Sequence, residues 1–484
     1  MIITQYTTFS ANGQALREET LIPVSVEKEE ARHTEVGVIN LYPEIKYQEI
    51  EGFGGAMTES SAYLLSTLAP ETRREILERY FGADGLNYRF IRTSIDSCDF
   101  GLGQYQAVED PIADPDFLTF TIDRDRKYII PMIKEAMAVA ARPLSVLLSP
   151  WSPPKQWKEP QAVSLNDAAA YGGETAHSDG EPSRIMGTLK KEYYGPWGRY
   201  MAKYVKAYLD EGIPVTMVTM QNESIAATPW DSCVWTAEDQ KVFLRDHLYP
   251  AFEAEGLTDK VGIFIWDHNK ERVYEWSKTM IDEVTDKMVA GIAFHWYSGD
   301  HFEAVGLTRD AFPGKTLMLS ECCRGMKTMP EDPWLRDAMG VTTQPHADYL
   351  DAVTYAHDMI GNLNNGMHRW IDWNLCLNPE GVPRTIERGC NAPVIIDDGD
   401  YRETMICEYI EHFSAFLLPG ARRIGLSRCN DKVEATAAVN EDGTIALILL
   451  NKGNDDLPYA VRMNGFIFRI IVPAQTISTV TIEG

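Results

Sequence analysis

Eight short apolar runs separated by longer amphipathic stretches occupy residues 50–418, and they constrain the fold more than any other feature. The runs are 50–55, 89–95, 144–149, 215–220, 261–266, 290–296, 316–320 and 368–373. Each has the length and apolar character of a strand buried on both faces. Between them, Thr58–Phe81 (broken at Pro70), Tyr128–Ala141, Trp197–Glu211, Glu238–Glu255, Arg272–Val284 and Ala347–Leu363 carry helix formers at amphipathic spacing. Strands alternating with helices give an α/β fold, and this number of units is that of a (β/α)8 TIM barrel. An open doubly wound sheet has the same periodicity. No GxGxxG follows a strand and no GxxxxGK[ST] occurs, so neither nucleotide-binding fingerprint is present.

The flanks follow another pattern. Residues 1–48 contain Thr20–Val26 and Gly37–Leu41, with an Asn12-Gly13 turn and no helical stretch. After residue 420, Lys432–Val439, Thr444–Asn451, Tyr459–Met463, Phe466–Val472 and Thr476–Ile482 read as antiparallel strands with turns between them. The expected organisation is a barrel at 49–419 and an antiparallel β-sandwich built from both chain ends, 1–48 and 420–484. A chain of 484 residues is also too long for one core.

Charge narrows the partners. Asp plus Glu number 71 against 45 Lys plus Arg, a net −26, which disfavours nucleic acid and anionic membranes. No run reaches membrane-spanning length. The first residues have neither a basic nor an apolar signal region, so a cytoplasmic location is expected. The eight cysteines, without a CxxC pair, are expected as reduced thiols.

Chemistry collects where the runs end. The fourth run stops in Gln221-Asn222-Glu223 and the seventh in Ser320-Glu321. Taken singly, each Glu reads as a helix cap or a solvated loop residue. Together, on two strand ends, they suggest paired carboxylates. The other ends supply Arg92, Asp96 and Asp99, Trp151 and Trp157, Trp266-Asp267-His268, His295-Trp296-Tyr297 and Asp372-Trp373-Asn374. Aromatic faces beside Asp, Asn and Arg suit sugar rings and their hydroxyls. Two carboxyls whose surroundings separate their pKa values suit glycoside cleavage. Asn222 is placed to hold a sugar 2-hydroxyl, and Arg92 to keep Glu321 ionised. His268, His295 and His301 show no HxH or HExxH spacing and GxSxG is absent. Neither a catalytic metal nor a Ser-His-Asp hydrolase is therefore expected, and no cofactor.

The motifs EGFGGAMTES (51–60), FIRTSIDSCDF (90–100), LLSPWSPPKQW (147–157), TMQNES (219–224), GIAFHWY (291–297), LSEC (319–322) and WIDWNLCLNPEG (370–381) resemble, in order and spacing, glycoside hydrolase family 30, in particular its glucosylceramidase-type branch. The resemblance implies a barrel fused to a β-sandwich and retaining, cofactor-free hydrolysis of β-glycosides. It implies Glu223 as acid/base and Glu321 as nucleophile, sugar contacts from Asp99, Trp151, Asn222 and Trp373, and support of the carboxylates by Arg92 and His295. Tyr297 joins the substrate-binding set. Two departures stand out. Ser224 replaces the family's Pro after Asn-Glu, which is expected to loosen that turn. An ungapped count puts Arg388 where the branch has an Asn that touches the sugar's C6 hydroxyl. The segment 158–196 is long and is expected to wall the pocket.

The expected activity is that of a retaining, exo-acting β-glucosidase, glucosylceramidase-like, on a β-linked glycoside. β-Xylosidase and β-1,6-glucanase are alternatives within the family. A non-catalytic carbohydrate-binding protein is the alternative of another class, and retention of both glutamates speaks against it.

Overall fold

The computed structural model describes residues 2–11, 14–26, 37–164, 187–325, 347–385 and 389–484. Eight parallel strands close into a barrel, in the order Gly52–Ala56, Phe90–Ile95, Ser145–Pro150, Val215–Thr219, Gly262–Asn269, Gly291–His295, Thr316–Glu321 and Arg369–Asn374. They are called barrel strands one to eight below. Closure between strands eight and one is direct, with Trp370 opposite Phe53 and Ile371 opposite Gly54. That pairing decides for a barrel over an open sheet. Phe90, Leu147, Met217, Phe264, Ala293, Met318 and Ile371 fill the interior, one from each of strands two to eight. Strand one contributes glycine instead. A Cβ on Gly54 would lie 2.2 Å from the Phe90 carbonyl oxygen, so this glycine serves packing of the barrel wall and not approach of a ligand.

The helices follow the amphipathic stretches. Thr58 caps the first, Glu59–Thr67, by accepting from the Ser61 amide, and Pro70 opens the second, Pro70–Phe81. The stretch around 238–255 is helical throughout, with a wider π turn at Leu244–Leu248. Among the described residues, three helices lie beyond the expected ones, Asp123–Lys127, Phe302–Ala311 and Met405–Ser414. No described helix is long and apolar enough to cross a membrane.

The two chain ends share a ten-stranded sheet. Ile2–Ala11 pairs antiparallel with Thr476–Glu483, and Val38–Ile50 lies between Ala421–Arg428 and Leu457–Met463. Ile3, Ile39, Leu41, Ile424, Leu447, Leu449, Val461, Phe468 and Val480 form its core. Val38–Ile50 runs across position 48 and only one residue separates it from barrel strand one, so the sheet passes directly into the barrel. His412, on the helix Met405–Ser414, bonds Thr8 Oγ1 at 2.9 Å and Thr479 Oγ1 at 2.8 Å, which fastens the barrel's outer layer to both chain ends. All eight cysteines are free thiols, Cys429 alone exposed.

Candidate active site

Barrel strand four leaves the wall at Asn222, whose amide donates to the Pro150 carbonyl at 2.7 Å. Glu223 follows with φ 51°, and its amide donates to the Asp267 carbonyl at 2.7 Å. Trp266 and Asp267, at the end of strand five, also have left-handed backbone, φ 74° and 52°. Such conformations cost on the order of 1–3 kcal/mol each in a non-glycine residue and persist only where the surroundings impose them. Ser224 helps impose them. Its hydroxyl donates to the Trp266 carbonyl at 2.9 Å and accepts from Gln240 Nε2 at 3.0 Å, while Gln240 Oε1 accepts from Trp276 Nε1 at 3.1 Å. The turn expected to loosen without proline is instead tied by hydrogen bonds.

Arg92 joins the strand ends. It is fully buried, donating from Nη1 to Glu321 Oε2 at 2.5 Å, from Nη2 to Asn222 Oδ1 at 2.8 Å and Asp267 Oδ2 at 3.0 Å, and from Nε to Ser149 Oγ at 3.1 Å. Glu321 Oε1 accepts from the Tyr297 hydroxyl at 2.9 Å. Asp267 accepts from His295 Nε2 at 3.0 Å and from the Ser320 hydroxyl at 2.5 Å. His295 Nδ1 then faces Glu223 Oε1 at 3.4 Å, and His268 Nδ1 faces the same oxygen at 3.6 Å. Residues 92, 222, 223, 267, 268, 295, 297 and 321 therefore form one connected cluster at the C-terminal mouth of the barrel, where barrel enzymes carry their chemistry.

Two tryptophans line the mouth. Trp151 and Trp373 stack with ring centroids 5.2 Å apart, and the Arg92 guanidinium carbon lies 4.9 and 5.3 Å from their ring centres. The other strand-end tryptophans turn away, Trp157 packing on Tyr193 with ring centroids 5.6 Å apart. Trp266 packs on Trp276 at 4.8 Å, and Trp296 packs on Tyr355 at 4.7 Å with its indole N–H donating to the Cys323 carbonyl. Asp96, Asp372 and Asn374 are likewise engaged elsewhere. Tyr200 donates to Asp96, Tyr355 to Asp372 and Thr58 to Asn374.

Asp99 is paired with a residue that the sequence did not single out. Arg384 Nη2 donates to Asp99 Oδ2 at 2.6 Å, and the guanidinium lies over Phe100 and Trp230. The Thr385 amide donates to the Asp99 carbonyl at 2.8 Å. Arg384 belongs to the same NPEG-containing segment as Arg388, which lies outside the described residues. Of the long segment 158–196, residues 165–186 also lie outside them. Its described ends pair, Lys158–Glu159 with Thr188–Leu189, and the buried Lys158 ammonium donates to Ser152 Oγ at 2.8 Å.

Burial raises the Glu321 carboxyl and the charges of Glu223 and Asp99 add to that, while His295 and Arg92 pull the other way. Burial alone would raise Glu223, but contact with His268 and His295 outweighs it and holds Glu223 below the ordinary range. His295 is desolvated, yet Glu321, Asp267 and Glu223 lift it to about 9. Across their 3.4 Å contact these opposite shifts favour the proton on His295. With the proton on the imidazole, Glu223 is a carboxylate. With it on Oε1, Glu223 is a carboxylic acid and His295 keeps its Nε2–H toward Asp267.

A family model described as the glycosyl hydrolase family 30 TIM-barrel domain matches residues 50–417, and the family's β-sandwich model matches 420–480. The chain belongs to glycosyl hydrolase family 30. This family 30 glycoside hydrolase is 30% identical over 469 residues to the Mus musculus lysosomal acid glucosylceramidase, covering 94% of this chain and 85% of the mouse protein. Among solved structures, SrfJ from Salmonella typhimurium superposes with a TM-score of 0.88 at 29% identity, covering 100% of both chains. The endo-β1,6-glucanase BT3312 superposes with a TM-score of 0.77 at 27% identity, covering 99% of both chains.

Proposed function

We propose that this glycoside hydrolase is a retaining, exo-acting β-glycosidase of glucosylceramidase-like specificity, with Glu321 as nucleophile and Glu223 as acid/base. The observation that carries the assignment is Arg92. One guanidinium grips Glu321 directly and, through Asn222 and the Asp267–His295 pair, holds the surroundings of Glu223. Glu321 has a permanently charged partner and a Tyr297 hydroxyl to aim it at an anomeric carbon. Glu223 has an imidazole with which to exchange a proton.

In the first step Glu321 attacks the anomeric carbon and forms a glycosyl ester. The glycosidic C–O bond breaks as Glu223 delivers its proton to the leaving oxygen. In the second step Glu223 takes a proton from water, whose oxygen displaces Glu321 and restores the β configuration. Asn222, fixed by Arg92, faces the sugar's 2-hydroxyl, and Trp151 and Trp373 form the apolar side of the pocket.

The test is a panel of aryl β-glycosides, with the first-formed anomer followed by NMR. Cleavage of the β-glucoside with β product first supports the proposal, and α product first refutes it. Glu321→Ala is expected to abolish turnover with partial rescue by formate. Glu223→Ala is expected to retain glycosylation by substrates with good leaving groups and to be rescued by azide. The reverse behaviour would exchange the two roles. The likeness to BT3312 supports a second reading, β-1,6-glucan cleavage. Oligosaccharide products from a β-1,6-glucan would favour it over exo-action.

A further inference from the structure

We infer that Glu223, His268 and His295 form a site for one divalent transition metal of the zinc or copper class, and that this metal inhibits the enzyme by occupying the acid/base. Binding is argued from geometry alone, whereas inhibition also rests on Glu223 being the acid/base, as proposed above.

Three ligand atoms converge, Glu223 Oε1, His268 Nδ1 and His295 Nδ1, all within 4.8 Å of one another. The carboxylate oxygen is 3.4 Å from one imidazole nitrogen and 3.6 Å from the other. Ligands at roughly 2.0–2.1 Å from a tetrahedral zinc ion are separated by about 3.3–3.4 Å. Two edges of the triangle are therefore close to the lengths that a bound metal requires. At 3.6 Å the His268 contact is too long for a hydrogen bond.

His268 supplies the second observation. The residue is only 7% exposed, and its Nδ1 has no hydrogen-bond partner among the described residues. A buried nitrogen without a partner carries an uncompensated desolvation penalty and calls for a reason. A metal ion bound through its lone pair is such a reason.

The surroundings match those of a metal-bound histidine. His295 donates its other nitrogen to Asp267, which is in turn held by Arg92 and Ser320. This carboxylate–histidine arrangement fixes the ring's orientation, and a metal at Nδ1 displaces the proton that lies between His295 and Glu223. Nearby carboxylates (Glu223, Glu321, Asp267, Asp99) outnumber nearby guanidiniums (Arg92, Arg384), so the local charge favours a cation. Two imidazoles and one carboxylate suit zinc or copper and not magnesium or calcium, which prefer all-oxygen sites. Glu223 retains an exposed edge, so a fourth position opens toward the pocket. The ligands come from strand ends four, five and six, 45 and 27 positions apart, which is why no local spacing motif announces them. A metal bound to Oε1 takes the lone pair that must carry the proton, so binding and turnover exclude each other.

The test uses the whole chain, dialysed against chelator. Zinc is titrated calorimetrically, copper is followed by EPR, and magnesium serves as the control. One equivalent of zinc is expected, with copper showing hyperfine coupling to two nitrogens and magnesium not binding. His268→Asn is expected to weaken zinc by at least about tenfold, the low end of what even outer partners of a ligand contribute. Glu223→Gln, which preserves shape, is expected to do likewise, and the exposed His301→Asn to change nothing. Circular dichroism identifies any variant that fails to fold, and the other ligand variant then decides. Zinc is further expected to inhibit aryl β-glycoside hydrolysis, with its Ki rising in His268→Asn in parallel with its Kd. Equal zinc affinity in wild type and both ligand variants would overturn the site. Binding with the expected variant dependence but without inhibition would uphold the site and overturn Glu223 as acid/base. Binding in a protein inactive on every glycoside would uphold the site and refute the proposed activity.

Discussion

Replacing Arg92 by lysine separates charge from geometry at the centre of the site. Arg92 directs donors to Glu321, Asn222, Asp267 and Ser149 from a side chain with no exposure. A lysine ammonium keeps the charge but concentrates its donors at one point, so it serves Glu321 or the Asn222–Asp267 pair and not both. At least two of the four buried hydrogen bonds are then lost, at roughly 1.5–3 kcal/mol each because the donor is charged. The expected destabilisation is on the order of 3–6 kcal/mol. Misplacing Glu321 by an ångström is expected to lower kcat about 100-fold. KM is expected to stay nearly constant, because Arg92 lies beneath Trp151 and Trp373 and aims its hydrogen bonds at protein groups. The assay is kcat and KM on an activated aryl β-glucoside, with thermal unfolding of the same preparation. Arg92→Met, which removes the guanidinium that the buried Asp267 and Glu321 share, is expected to lose more stability still. A folded Arg92→Lys enzyme with kcat within threefold of wild type would refute the view that this guanidinium positions the two carboxylates.

Three further outcomes follow from the same contacts. Ser224→Ala removes the partner of Gln240 Nε2 and of the Trp266 carbonyl, and is expected to lower unfolding free energy by about 1–3 kcal/mol in urea titration. Arg384→Met leaves Asp99 buried without its ion pair, and is expected to reduce kcat/KM at least tenfold, mainly through KM, in steady-state assays. Burial pushes the Asp125 carboxyl up to about 6 against hydrogen bonds from Tyr204, Tyr208 and Tyr105. Because its folded pKa is raised, its contribution is full below pH ~4 and falls as pH rises from ~4 to ~6, by on the order of 3 kcal/mol. Asp125→Asn is expected to abolish that fall, and unfolding curves across this pH window would show whether it does.

The barrel strands, most of the helices around them and the two glutamates were legible in the sequence because each has a local cause. A run such as Val215–Met220 is apolar on both faces and stops abruptly at Gln221-Asn222-Glu223, so the strand, its end and the carboxylate at that end lie in one short stretch. The same holds for Thr316–Glu321. What the tertiary structure decided is every relation between stretches. Closure of strand eight on strand one rests on pairing of residues 369 and 52, and the sheet of both chain ends on pairing of residues 2–9 with 476–483. Neither leaves a periodic trace. Trp266 was expected at the mouth but faces the helix beside Trp276, because the strand's register shifts between Trp266 and His268 and alternation no longer tells which side a residue takes. Arg384 on Asp99, His268 beside Glu223 and the four-way grip of Arg92 depend on side chains distant in sequence meeting at one end of a closed barrel. Hydrophobic periodicity records which face of an element is buried, but it carries no information about which buried polar groups will find one another.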